Sequence, residues 1–167
     1  MQATRERLVR WEDPLASAGA LRELSGLEAI RAVRDGLVPP PPIAKLMAFT
    51  IVEADEGRVV FEGYPGEEHY NPIGVVHGAF ALTLFDSAMG CAIHTTLPRG
   101  VAYTTTDVQV RFIRAITKDT GPVRCEAIAV HVGRSTAIAE ATLRDGEGRV
   151  LGTGTTGCAV FRPSTSS

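Results

Sequence analysis

The chain has 167 residues, a formal net charge of −2 and 44% hydrophobic residues, which is enough to bury one core and is the size of one domain. Its basic residues are scattered over a chain near charge balance, so neither a nucleic-acid footprint nor a membrane-surface helix is expected, and nucleic acid and membrane are set aside as partners. No apolar stretch reaches spanning length and the opening MQATRERLVRWEDP lacks the apolar core of a signal peptide, so a cytoplasmic protein is expected.

Residues 1–42 read as an N-terminal helical extension followed by a Pro-rich connector. A charged segment around Arg5 to Asp13 comes first. A cleaner helix follows, opened by the capping-box pattern Ser25-Gly26-Leu27-Glu28, carrying Leu27, Ile30 and Val33 on one edge and closed by Gly36. Pro39 to Pro42 exclude helix and central strand and predict a stiff extended link. Residues 43–163 are expected to form the main domain and 164–167 a disordered tail.

In the main domain the pattern changes to strands. Ala48 to Ala54 and Arg58 to Tyr64 flank the hairpin signal Asp55-Glu56-Gly57. A loop from Pro65 to Val76 leads into Gly78 to His94, where Phe80, Leu84, Phe85, Ala88, Cys91 and Ala92 recur at threes and fours. A helix this apolar belongs inside a domain. Four further strands are predicted at Ala102 to Ala115, Val123 to His131, Ser135 to Arg144 and Arg149 to Phe161, the last three as a meander. In the third of these, Ala137, Ala139, Ala141 and Leu143 share one face, leaving room for the Phe-rich helix. The predicted architecture is α+β: about six antiparallel strands curled around one long central helix.

Several motifs fail for physical reasons. Gly152 to Gly157 matches GxGxxG, but too little chain follows for the helix that would hold a pyrophosphate, so the glycines read as bending and close packing in the last strand. No GxSxG elbow is present. Cys91, Cys125 and Cys158 are far apart in apolar or strand contexts and read as reduced core residues, so no metal and no cofactor is expected.

One residue of the central helix does not fit a purely structural reading. Asp86 is the only permanent charge between Gly74 and Thr96, and Thr83, Ser87, Gly90 and His94 at helical spacing make a stripe without long charged side chains. A helix beginning near Gly78 offers free N–H groups and a positive dipole end to an oxyanion, and a carboxylate nearby can attack a carbonyl or take a proton from water. Gly78 and Asp86 are eight positions apart, about 12 Å along a helix, so one chain cannot bring them together. Two antiparallel copies of the helix can, twice per dimer.

The run N-P-x-G-x-x-H-G-x(7)-D, Asn71 to Asp86, on the helix of a strand-strand-helix-four-strand domain resembles the phenylacetyl-CoA thioesterase-like branch of the hotdog-fold thioesterases. The similarity spans about residues 25 to 162 and includes the Ser25-Gly26-Leu27-Glu28 lead-in and the Val132-Gly133-Arg134 turn. The resemblance implies an oxyanion donor at Gly78, a helix-start histidine at His77, a loop asparagine at Asn71 and a carboxylate base or nucleophile at Asp86 from the partner subunit. It places an assisting hydroxyl at Thr105, with Thr104 and Thr106 as neighbours able to take that part. Arg134, with Arg99, Arg111 and Arg114, is a candidate for the CoA phosphates. Ala79 stands where the family commonly has a second glycine. The implied activity is hydrolysis of an aryl- or short- to medium-chain acyl-CoA, with CoA as part of the substrate. The resemblance also implies a homodimer as the minimal active unit, and a homotetramer is expected as the larger assembly. A non-catalytic acyl-CoA-binding module and an enoyl or hydroxyacyl thioester hydratase or dehydratase are the alternatives.

Overall fold

The computed structural model describes residues 4–163; the expected tail at 164–167 lies outside them. Four helices, α1 (Pro14–Leu21), α2 (Gly26–Arg34), α3 (Pro42–Leu46) and α4 (Gly78–His94), accompany six strands. The strands are β1 (Phe49–Asp55), β2 (Arg58–Gly63), β3 (Ala102–Phe112), β4 (Val123–Val132), β5 (Thr136–Arg144) and β6 (Val150–Phe161). They form one antiparallel sheet in the order β1-β2-β4-β5-β6-β3, with β4, β5 and β6 as the expected meander.

Helix α4 lies in the curl of this sheet, as its apolar pattern predicts. Phe80, Leu84, Phe85, Met89 and Ile93 are almost fully buried, each worth roughly 1.5–3 kcal/mol over an exposed position. Ala137, Ala139 and Ala141 of β5 are buried on the face it packs against. The rejected glycine motif runs inside β6, where a Cβ on Gly154 would come within 3.0 Å of the Phe85 ring. These glycines let the sheet close on the helix.

The N-terminal region differs from expectation in two places. Residues 4–13 carry no helix, and the first helix begins at Pro14, capped by Asp13 whose side chain accepts from the Leu15 N–H at 2.9 Å. The proline run does not exclude a helix at its end: α3 starts on Pro42, a position where the missing N–H costs nothing. Helix α2 has its predicted capping box, with both Ser25–Glu28 hydrogen bonds formed, and buries Ala29 and Ile30 where it packs on β1 and α4. Gly26 abuts the α4 terminus so closely that a Cβ would stand 1.7 Å from the His94 carbonyl oxygen. No helix among the described residues is long and apolar enough to cross a membrane.

Candidate active site on the central helix

The two ends of α4 present different chemistry. At its start, His77 is the N-cap, and its Nδ1 accepts from the Ala79 N–H at 2.9 Å. The Gly78 N–H has no partner among the described residues and faces a small cavity of about 270 Å³ shared with Phe112, Ile113 and Arg114. Phe112 covers Gly78 so tightly that a Cβ would meet its ring at 3.0 Å. The approach loop is held from both sides, with Val76 N–H donating to Ile116 O at 2.9 Å and His77 N–H to His69 O at 2.7 Å. Asn71 Oδ1 accepts from the N–H groups of Ile73 and Val75 at 3.1 and 3.3 Å, so this side chain shapes the loop.

Two turns further along, Asp86 meets β3. Thr105 Oγ1 donates to Asp86 Oδ1 at 2.9 Å, which joins two residues nineteen positions apart in sequence. The adjoining Thr106 sits in a β-bulge and donates to Gly157 O at 2.9 Å, while Thr104 is exposed and makes no such bond to Asp86. Of the three threonines the structure thus brings Thr105 to the carboxylate. Its hydrogen bond fixes Oδ1 and leaves Oδ2 open to a further donor.

Asp86 and Thr105 stand at the wall of a second cavity, of about 420 Å³, with Ser87, Gly90 and Cys91 beside them. Burial pushes the Cys91 thiol up to about 12, with the Asp86 charge adding to the shift, so it is a neutral wall residue and no nucleophile. Tyr103 borders the same space, and burial holds its phenol well above the ordinary range. Among the described residues no group of three His, Cys, Asp or Glu side chains is placed to hold a metal ion.

The uncharged stripe is only half open. Ala79, Leu82 and Asp86 are exposed and Thr83 is turned back on the Ala79 carbonyl at 2.8 Å. Gly90 is buried, and His94 packs its ring 5.4 Å from Tyr103. Arg134 is exposed in the β4–β5 turn, its carbonyl accepting from Arg162 Nε at 3.3 Å. Sequence reasoning did not find Tyr103 or the α1 and proline residues that complete the larger cavity. Tyr103 lay two positions from Thr105 on an alternating strand and was within reach of that pattern; α1 has no apolar stripe that marks a buried face.

Residues 73–151 match the model of the Thioesterase superfamily, a span that includes α4 and β3 to β5. Residues 73–151 are thus similar to that superfamily, and the curved sheet around one long helix is the hotdog fold. It is similar in structure to the PaaI protein from the phenylacetic acid degradation operon of E. coli, at 17% identity and TM-score 0.72, over 84% of this chain and 99% of that one. A phenylacetic acid degradation-related protein of Ralstonia eutropha JMP134 aligns at 22% identity and TM-score 0.70, over 78% and 98%. A Streptococcus mutans UA159 protein bound to acetyl CoA aligns at 20% identity and TM-score 0.62, over 70% and 91%. A comparison with curated proteins finds no match.

Proposed function

We propose that this protein is a thioester hydrolase that cleaves an acyl-CoA to a free acid and CoA, working as a dimer in which each site joins the Gly78 end of one subunit to Asp86 of the other. The observation that carries this reading is the division of α4: an oriented carboxylate at one place and an unpaired N–H at another, too far apart to serve one carbonyl within a chain. The superfamily match supports thioester chemistry, and the acetyl CoA bound to the S. mutans protein supports a CoA ester as the substrate class. The exposed Ala79, Leu82 and Asp86 face, and the β3 edge, which pairs only with β6 among the described residues, give a second copy a surface to meet.

In this reading the Gly78 N–H donates to the carbonyl oxygen as negative charge develops there. Asp86 Oδ2 takes a proton from water while the water oxygen bonds to the carbonyl carbon. The C–S bond then breaks, and the CoA thiolate receives the proton from Asp86. Thr105 holds the carboxylate; His77 and Asn71 hold the helix start and its loop. Arg134, paired in space with Arg162 at one end of the sheet, with Thr104 and Thr106 nearby on β3, is assigned to the CoA moiety. The test is thiol release from a panel of CoA esters by the purified full chain. Asp86→Asn is expected to lower kcat by about 10²–10⁴-fold. Full activity in that variant removes Asp86 from the mechanism, and tight CoA-ester binding without turnover makes the protein a binding module.

A further inference from the structure

We propose that the N-terminal segment is the acyl ruler of this site: α1, through Pro14, Ser17, Ala18 and Leu21, roofs the Asp86 cavity and restricts it to a compact, uncharged acyl tail of about six to ten carbons or a single aromatic ring. The proposal rests on the thioester-hydrolase reading for its substrate but on the cavity itself for its shape.

The floor of the cavity is apolar, from Phe49, Ile51 and Phe61, and its roof comes from Leu21 and Ala18 of α1 together with the proline run. Among the described residues Asp86 is the only charged one in its lining. A tail ending in a carboxylate would find no cation there and would face Asp86, so charged acyl groups are excluded. At about 30 Å³ per water-sized group, a volume of about 420 Å³ admits about fourteen non-hydrogen atoms. The thioester head and imperfect filling reduce that to about six to ten tail carbons.

The roof is fastened at its ends and not by packing. Arg7 donates to the Lys45 and Leu46 carbonyls at the end of α3, at 2.8 and 3.1 Å, and pairs with Glu68 at 3.1 Å. Arg5 pairs with Glu67, and beyond α1 Glu23 pairs with Arg99. Between these anchors α1 has no buried residue. A helix that adds nothing to the core but spans the mouth of an apolar cavity acts as a cover, and the small Ser17 and Ala18 on it leave the space beneath open.

Leu21 is the residue to change, because it lines the cavity and lies outside the core cluster. In the full chain, Leu21→Trp is expected to lower kcat/KM for octanoyl-CoA by at least about tenfold and to leave propionyl-CoA within about twofold. Leu21→Ala is expected to shift the optimum toward longer tails. An equal change at all lengths in Leu21→Trp overturns the ruler while leaving the hydrolase intact. If the unaltered protein cleaves no thioester, the hydrolase reading fails and binding decides the ruler. Calorimetric titration with the octyl thioether of CoA should then show at least about tenfold weaker binding to Leu21→Trp, with the methyl thioether unchanged. Equal octyl affinity in the two proteins overturns the proposal.

Discussion

The start and the middle of α4 belong to one rigid element yet are finished by different parts of the chain. Gly78 is enclosed by β3 residues such as Phe112 and by a loop tied to His69 and Ile116. Asp86 stands exposed at the wall of a cavity that α1, the proline run and β1 border. The first environment fixes backbone, and the second provides volume. In the proposed reading, their difference separates the oxyanion donor from the space that selects the acyl tail.

Removing the donor at the helix start breaks the comparison most sharply. Gly78→Pro deletes the N–H at a first helical position, where proline is tolerated, and His77 already has the extended backbone that a following proline requires. Thiol release should fall by about 10²–10³-fold relative to Gly78→Ala, which presses on the same Phe112 ring but keeps the N–H. A variant of unchanged kcat would show that this N–H binds no oxyanion. Next in size, Gly26→Ala forces a methyl against the His94 carbonyl and should cost about 2–3 kcal/mol in chemical denaturation. Unchanged stability would mean that α2 shifts freely over α4.

Smaller effects test the Asp86 side. Thr105→Val removes one hydrogen bond to the carboxylate, and a loss of about 0.5–1.5 kcal/mol corresponds to roughly a two- to tenfold drop in kcat. The proton balance comes last. Burial holds both His69 and His94 below the ordinary histidine range. The unfolded chain therefore takes up protons that the folded one refuses as pH falls through about 6.5, and stability falls with it. The melting temperature should decline between pH 7.5 and the depressed folded pKa, and His94→Gln should flatten that decline; an unaltered slope would assign it to other groups.

Much of the fold was legible because the relevant signals are local and periodic. The α4 boundaries and the β5 alanine face follow from spacing, and the Ser25–Glu28 box from residue types that bond within one turn. Asp86 stood out because nothing else on its helix is charged. The Thr105 contact depends on the offset between α4 and β3, which no window of sequence contains. The role of α1 was hidden for a related reason: a helix held by Arg7, Glu23 and their distant partners needs no amphipathic pattern. Arg5 to Asp13 is rich in charge yet carries no helix, and Arg5 and Arg7 reach Glu67, Glu68 and the end of α3.

The thiols give the molecule a clock of its own. Cys125 is held neutral deep under the sheet, its pKa pushed up by burial, and Cys91 is likewise neutral but stands on the cavity wall. Alkylation at Cys125 waits for the core to open, whereas Cys91 needs only entry of reagent to the space beneath α1. The ratio of the two labelling rates therefore times the parting of the N-terminal cover separately from unfolding. An acyl-CoA analogue seated in the cavity should slow the Cys91 reaction and leave that ratio as its signature.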